Sequence, residues 1–600
     1  MTPLPDQLCV VDFETAGIED HPNYPPKPCG VSIRWENGKS EYLAWGHASD
    51  NNVSFEEARR AVVRAYRFPC AFHNGAFDME VARVHMDLPY PREWHDTMIM
   101  TYLCDPHAPS LSLKPLGQYL LGIKPDEKDA LLEYGMSMGL RKSEVMANIP
   151  KLPGTTVVGP YANQDTKLTH KVAEWAWDKI DYHNLWEAYQ RERALLPWLV
   201  DSESRGVRVD RPLLEFWRAK LEFGLGESDH RLHKSLGEGV NLDSNDEMAD
   251  ALERAGLVKP GDWTLTATGV RSVALPALAK LLPPSLFSLI RYRTKSATML
   301  RTFVVPWLAR SLDGRLHTRW SQVRNPEGNG TRTGRIASFE PNLANIPKDQ
   351  KVAAPDGLPD LPLLRQALLP EHGHVWMSAD YSQQELRLLA HYEDGDLMRA
   401  YQANPRLDLH LYASELVLRR TGIVMERDQA KILGFSIIYG AGVLKIAEQL
   451  GIEPAEAEEF RRAYLSALPG VAAMRDEATG RFRRRMSIRT LGGRVYYAEP
   501  PKRGRSFEYK GLNVLIQGSA ADQTKQAIID FCTRAADIDV WLLGQVYDEI
   551  NVSVPKGLER EAAKRLNYMM VNAFELDVPV TTDIETGPNW ADLTKMEIPT

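Results

Sequence analysis

Up to about residue 190, short apolar runs alternate with segments of helical spacing. Leu8 to Phe13 is a buried-strand run that ends in acids, and Val31 to Trp35 is a second short strand. Phe55 to Tyr66 carries apolar residues at helical spacing, and Ala71-Phe72-His73 reads as the end of another strand. Such alternation predicts an open α/β sheet with its functional residues at strand ends. From about Asp181 to His317 the pattern is helical, with Leu, Ala, Glu and Arg at three- and four-residue spacings. Within it, Asn241 to Gly256 has a start signal, with Asp243 or Ser244 as cap, and Gly256 as the stop. From about Gly314, long helices enclose strand-like runs such as His374 to Ala379 and Trp541 to Val546. Val352 to Pro362, with three prolines, predicts a surface loop.

Composition narrows the class. At 600 residues the chain exceeds one compact domain, and the usual domain size predicts roughly three to five units. Apolar residues at 44% and charged residues at 25% are ordinary for a soluble globular protein. No run is apolar enough for a membrane span, and Met1 to Asp12 has no signal-peptide pattern. The five cysteines (Cys9, Cys29, Cys70, Cys104, Cys532) are scattered and form no CxxC pair. That usage fits a reducing cytoplasm and excludes a disulfide framework and a structural zinc site.

The net charge of −8 is a global average, whereas phosphate binding depends on local fields. Arg481 to Arg505 carries nine basic side chains (Arg481, Arg483, Arg484, Arg485, Arg489, Arg494, Lys502, Arg503, Arg505) against Glu499. Taken alone, that run reads as a solvated helix face followed by a loop. Gly38-Lys39-Ser40 lacks a P-loop's first glycine, because position 33 is Ile33, and reads as a strand end and turn.

Two constellations carry chemistry. Asp12 and Glu14 are i and i+2 on one predicted strand, so both carboxylates face the same side. Asp78, in His73-Asn74-Gly75-Ala76-Phe77-Asp78, is placed to open a helix. Tyr161 and Asp165 share a helix face at i, i+4. Four acids and a phenol are what phosphodiester hydrolysis with two Mg²⁺ ions requires: carboxylates hold the cations, and the phenol orients the attacking water. This set resembles the proofreading 3′–5′ exonucleases with three short acidic motifs. The resemblance implies a ribonuclease H-like domain in which Asp12, Glu14, Asp78 and Asp165 bind the metals and Tyr161 assists. Asp96-Thr97 also resembles a segment of that family and is expected to be structural.

In the second constellation, Asp380 follows the run Val375 to Ala379, and Trp541 to Tyr547 ends in Asp548-Glu549. Two aspartates at the ends of adjacent strands could bridge a pair of Mg²⁺ ions for phosphoryl transfer. Between them, Arg427, Lys431, Phe435 and Tyr439 recur every four residues. Each is rotated only ~40° from the last, and the line is about 18 Å long, enough for a triphosphate, sugar and base laid end to end. Two cations suit phosphates and two aromatics suit a base. The alternative is an amphipathic helix with its aromatics in the core, where cations in the same line would be poor design.

These segments resemble family A DNA polymerases from about residue 190 to the C-terminus. The resemblance implies an α/β multidomain chain: the exonuclease domain (1–190), a helical thumb and connector (191–330), a first part of an antiparallel palm (331–400), fingers (401–480) and a second part of the palm (481–600). It implies that Asp380 and Asp548 bind two metal ions, Mg²⁺ with Mn²⁺ as a substitute, beside Glu549. Arg427 and Lys431 would hold the incoming dNTP, with Lys431 as a proton donor to pyrophosphate. Phe435, Tyr439, Gln384 and Glu385 would complete the dNTP site, Glu385 excluding ribonucleotides. Arg335, Asn342 and Asn345 in Thr333 to Pro347, together with Asn513, Gln517, Gln545 and Tyr547, would contact primer–template DNA. Tyr547 departs from the family's usual histidine: it donates one hydrogen bond but carries no positive charge.

Ahead of Leu8 there is no room for a 5′-nuclease domain, and the spacing from Asp165 to Arg335 leaves little room for an inserted processivity loop. A monomeric, phage-type replicative enzyme in the host cytoplasm is therefore expected, aided by phage or host replication proteins. The nearest rival, a single-subunit RNA polymerase, is disfavoured by Glu385 and by the attached exonuclease motifs. A catalytically dead DNA-binding protein is disfavoured because no required acid is missing.

Overall fold

The computed structural model describes residues 4–5, 7–124, 126–266, 268–324, 330–348, 352–502 and 504–597. The N-terminal region is built on a five-stranded mixed sheet in the order Ser40–Ala44, Pro28–Arg34, Cys9–Thr15, Cys70–Phe72, Trp94–Asp96. Cys9–Thr15 runs antiparallel to Pro28–Arg34 and parallel to Cys70–Phe72. It is apolar on both faces until its acids because it is the middle strand, covered on both sides. Gly30, opposite Glu14, has no side chain because a Cβ there would collide with the Tyr42 ring.

The helix Phe55–Ala65 opens on a capping box in which Ser54 and Glu57 bond each other's backbone N–H. The helix Gly159–Tyr182 buries Tyr161, Asp165, Leu168, Val172, Ala176 and Ile180, a stripe at three- and four-residue spacing against the sheet. The two predicted site residues are thus the first members of a core-facing stripe.

The region that follows is helical, as its pattern predicts. The helices Trp186–Arg205, Arg211–Leu236, Asn245–Arg254, Leu275–Leu281 and Pro284–Thr298 lead into the rest of the chain. Ser244, rather than Asp243, caps Asn245–Arg254, and Gly256 follows it with φ of +66°. The Val352–Pro362 segment is irregular and exposes Ala353, Asp356, Gly357 and Asp360, as a surface loop does, but it is anchored in the core. Leu358 and Leu361 are buried with Tyr292 and Leu221, and the Tyr292 hydroxyl donates to the Pro359 carbonyl at 2.7 Å. Three prolines signalled the absence of regular structure but not the burial.

The C-terminal half holds a second five-stranded sheet, in the order Trp541–Val546, Glu549–Pro555, His374–Tyr381, Thr582–Gly587, Thr594–Lys595. Its described pairings are all antiparallel. The expectation that the two aspartate-bearing strands are neighbours is corrected here. Glu549–Pro555 lies between them, and Asp548 sits in the two-residue turn of a hairpin with Tyr547 at φ of +59°. The helices from Gln384–Glu393 to Pro469–Arg483 pack around a separate core that includes Leu389, Leu433, Ile437 and Phe460.

In the basic run Arg483, Arg484, Arg485, Arg489, Lys502 and Arg505 are exposed, as a solvated face and loop would be, and Arg494 is the buried exception among the described residues. Arg489 donates to the carbonyls of His183 and Asn184, and Arg494 is 2% exposed. Arg503 lies outside the described residues. Arg494 belongs to a buried charge cluster with Glu192, Asp522, Lys525 and Arg191. The cluster joins the helix Trp186–Arg205, the 488–496 hairpin and the helix Gly511–Arg534. Burial lowers the Lys525 ammonium well below its usual range. Among the described residues no helix is long and apolar enough to cross a membrane.

Candidate active sites

The first site forms where three segments meet. Asp12 and Glu14 lie at the end of Cys9–Thr15, and Asp78 lies in the first turn of the helix Gly75–Met86. The Phe13 N–H donates to Asp78 Oδ1 at 2.8 Å, tying the second acidic segment to the backbone of the first. Asp96 does not join them. Its carboxylate accepts from the N–H groups of Gly75 at 2.7 Å and Met98 at 2.8 Å, so it fixes two helix starts, the structural role expected.

Burial, then repulsion from Asp78, Glu14 and Asp165, pushes the Asp12 carboxyl well above the usual range. Burial, then Asp165, pushes Glu14 up to about 8. Burial also pushes Asp78 up to about 8. The Tyr161 phenol is raised by burial and by these acids, so it stays neutral and can donate a hydrogen bond. Lys114 meets this set: its Nζ is 2.9 Å from Asp165 Oδ1 and 3.6 Å from the centre of the Tyr161 ring. No sequence pattern flagged Lys114, because only the docking of its helix against Gly159–Tyr182 brings it here.

The second site is set by the register of the C-terminal sheet. Asp380 pairs with Glu549 on one side and Asp583 on the other, and the Tyr381 N–H donates to the Asp548 carbonyl at 3.3 Å. Asp380 Oδ1 is buried without a hydrogen-bond partner. Burial, then Asp548 and Glu549, pushes Asp380 up to about 8, and burial raises Asp548. Glu549 turns away to accept from Trp590 Nε1 at 2.7 Å, with Arg365 at 3.8 Å. Asp583, a further acid that the motifs did not flag, is engaged by Ser382 at 2.6 Å and by Lys595.

The helix Arg427–Ile438 buries Leu433, Ile437 and Ile438, while Arg427, Lys431 and Tyr439 are exposed and Phe435 is half-buried. The four-residue line therefore faces outward, and the core-facing alternative is excluded. Phe435 stacks with Tyr439 at 6.0 Å and meets His410 at 5.7 Å, and Arg427 pairs with Asp408 at 2.7 Å. The Tyr439 hydroxyl donates to Glu385 Oε2 at 2.9 Å, and the other Glu385 oxygen pairs with Arg335. The Arg335 guanidinium lies 5.3 Å from the centre of the Tyr547 ring.

A cavity of about 500 Å³ collects Arg335, Gln384, Glu385, Phe435, Tyr439, Gln517, Tyr547 and Asp548. Arg427, Lys431, Asn342, Asn345 and Asn513 do not line it. Gln384 is turned inward and donates to Gln523 Oε1 at 3.0 Å. Asn342 Oδ1 accepts from Ser338 Oγ at 3.0 Å, and Asn345 is exposed at the end of a short turn. Gln545 donates to the Tyr547 carbonyl, and the side-chain oxygens of Gln545 and Asn513 are buried without partners. A larger cavity, of about 690 Å³, lies at the opposite strand ends near His374 and Pro588. Its acids are already engaged, Glu371 by Arg315 and Glu559 by the Gly557 N–H, so it is not the reactive centre.

Among the described residues no group of three or more His, Cys, Asp or Glu side chains is arranged to hold a metal ion as it stands. The donor chemistry nonetheless suits a hard divalent cation. Both sites gather carboxylate oxygens that repel one another, and one holds the orphaned Asp380 oxygen.

The model of DNA polymerase family A matches residues 212–592. The chain belongs to this family. In this family A chain, residues 10–181 also match a 3′–5′ exonuclease model. It is 32% identical over 439 residues to the thermostable DNA polymerase I of Thermus filiformis, covering 71% of this chain and 50% of that protein. It is 28% identical over 597 residues to DNA polymerase I of Chloroflexus aurantiacus, covering 94% of this chain and 60% of that protein. The family A chain thus spans about half to three-fifths of the length of these bacterial relatives. It is 26% identical over 635 residues to DNA polymerase DpoZ of Acinetobacter phage SH-Ab 15497, covering 98% of each. Its fold matches the POL domain of Pol1 from M. smegmatis, solved in complex with DNA primer-template and dNTP. The TM-score is 0.78 at 23% identity, over 97% of this chain and 96% of that one.

Proposed function

We propose that this chain copies a primed DNA template from dNTPs by two-metal-ion nucleotidyl transfer and trims mismatched ends by 3′–5′ exonucleolysis. The observation that carries the reading is the presence of two separate carboxylate sets in one chain, each inside a region that matches the corresponding family model. Two Mg²⁺ ions per site, or Mn²⁺ in their place, would activate the attacking oxygen and stabilise the leaving one.

In synthesis, Asp380 and Asp548 hold the ions beside Glu549. Arg427 and Lys431 clamp the triphosphate, and Lys431 returns a proton to pyrophosphate. Phe435 and Tyr439 offer flat surfaces to sugar and base, next to Gln384. Glu385, pinned between Arg335 and Tyr439, crowds the 2′ position of a ribonucleotide. Arg335, Asn342, Asn345, Asn513, Gln517, Gln545 and Tyr547 follow the primer–template; minor-groove acceptors are alike for correct pairs, so contacts there test pair shape without reading sequence. In hydrolysis, Asp12, Glu14, Asp78 and Asp165 hold the ions, and neutral Tyr161 orients the water.

We assign 1–190 as the exonuclease domain, 191–330 as thumb and connector, 401–480 as fingers, and 331–400 with 481–600 as palm. Similarity to two phage polymerases over nearly their whole length supports phage genome replication as the setting. The test is primer extension with Mg²⁺ on wild type, Asp12→Ala and Asp380→Ala. Asp12→Ala should lose only degradation and Asp380→Ala only synthesis. Loss of both activities in either variant would refute two separate sites, and incorporation of ribonucleotides as readily as dNTPs would favour an RNA polymerase.

A further inference from the structure

Lys114 stands among the exonuclease carboxylates, although the acidic motifs have no place for it. It lies in the first turn of the helix Leu113–Leu121. That helix packs closely on Gly159–Tyr182 because Gly117 has no side chain; a Cβ there would lie 2.7 Å from Leu168. The Lys114 ammonium is 2.9 Å from Asp165 Oδ1, with 12% of its own side chain and 11% of Asp165's exposed. It also lies over the Tyr161 ring, 3.6 Å from its centre. Its charge reaches Asp12 and Glu14 and favours their ionised forms. One ammonium therefore touches both residues of the third acidic segment and offsets the repulsion within the first.

An ammonium and a divalent cation seek the same carboxylate oxygens, and two positive charges a few ångströms apart repel. We infer that Lys114 is a positioning residue that holds Asp165 and Tyr161 in place and competes with the metal ion for Asp165, thereby setting the metal affinity of the exonuclease site. The inference rests on the exonuclease reading above. No covalent bond changes. The ammonium gives up Asp165 as the ion arrives, and its four-carbon stem lets it move aside.

The test uses the full chain carrying Asp380→Ala and Asp548→Ala, so that the exonuclease acids are the remaining carboxylate set, and follows Mn²⁺ binding by electron paramagnetic resonance. Lys114→Met in this background should bind Mn²⁺ about tenfold more tightly, since a unit charge beside the ion is gone. Lys114→Arg, which keeps the charge, should stay within about twofold of the parent. Lys114→Gln, neutral but still able to donate to Asp165, should shift in the same direction as Met and keeps the test available if Met disturbs folding. Binding by the neutral variants that is equal to the parent's, or weaker, overturns the inference; a purely structural role predicts the weaker binding. In the same background Asp12→Ala should lose Mn²⁺. Unchanged binding by Asp12→Ala would instead overturn the exonuclease reading itself. As a second readout, single-stranded DNA hydrolysis by Lys114→Met in the otherwise wild-type chain should reach half its maximal rate at a lower Mg²⁺ concentration than wild type.

Discussion

The two carboxylate sites are assembled by different means. The N-terminal site draws five residues from three segments and joins them by point contacts, such as the Phe13 N–H on Asp78 and Lys114 on Asp165. The C-terminal site hangs on sheet register: Asp380 faces Glu549 across one ladder, and Asp548 lies in the turn that begins it. The first is closed and carries its own counter-charge. The second opens into a cavity of about 500 Å³ in which Arg335 is paired with Glu385, while Arg427 and Lys431 stand apart along a helix. A site held by register tolerates loss of a side chain without moving its neighbours, whereas a site held by point contacts loses its geometry with its charge.

The largest expected effect tests whether the sites are independent. Asp380→Ala should lower primer extension by about 10³-fold or more, the scale of a lost metal site, and leave hydrolysis intact. Asp165→Ala should do the converse. Single-turnover assays of both reactions check this, and a comparable loss of both in one variant breaks the comparison.

Next comes the buried cluster that ties the helix Trp186–Arg205 to the C-terminal region. Glu192→Ala strips Lys525 of its carboxylate partner, while Arg494 keeps Asp522, and should destabilise the chain by about 3–5 kcal/mol, the cost of an unpaired buried charge. Denaturant melts measure it; a change under about 1 kcal/mol would mean that the cluster does not hold that helix to the C-terminal region.

pH sharpens the contrast between closed and open sites. Glu14, Asp78 and Asp380 are each pushed up to about 8, so the folded chain holds protons that the unfolded chain releases near pH 4. Their contribution to metal-free stability is fully present below about pH 4 and is lost as pH rises through about 8. Metal binding needs the ionised forms and runs the opposite way. The rise in Tm on adding Mg²⁺ should therefore be larger at about pH 9 than at about pH 6, and Asp380→Ala should keep most of that difference because two of the three groups lie in the closed site. A pH-independent Mg²⁺ shift would contradict these assignments.

The smallest effects lie on the open site. Phe435→Tyr adds a hydroxyl facing the sugar and should ease dideoxynucleotide incorporation by about tenfold, the worth of one hydrogen bond. Equal discrimination by the two proteins would sink that role. Tyr547→His keeps one donor in the same turn and should change extension by no more than about threefold.

Much of this was legible along the chain because it depends on local periodicity. The i, i+2 spacing of Asp12 and Glu14, the i, i+4 spacing of Tyr161 and Asp165, and the four-residue line from Arg427 to Tyr439 each specify a shared face once the element type is known. The sheet strands and the capped helices follow from equally local signals, whereas the role of Asp96 includes a bond to Gly75, 21 residues away. The basic run from Arg481 to Arg505 is mostly exposed, as its charge implies, but charge spacing does not say which arginine will be buried. Arg494 pairs with Asp522, 28 residues away.

The sequence by itself determined which residues share a face and which segments carry acids. Tertiary structure alone decided that Glu549–Pro555 separates the two aspartate strands, that Lys114 enters the exonuclease site, and that Arg335, Glu385 and Tyr439 lock together. The reason is physical. Faces are set by bond geometry within a few residues, whereas partners 50 or more positions apart, such as Arg335 with Glu385 or Lys114 with Asp165, meet only when whole elements dock.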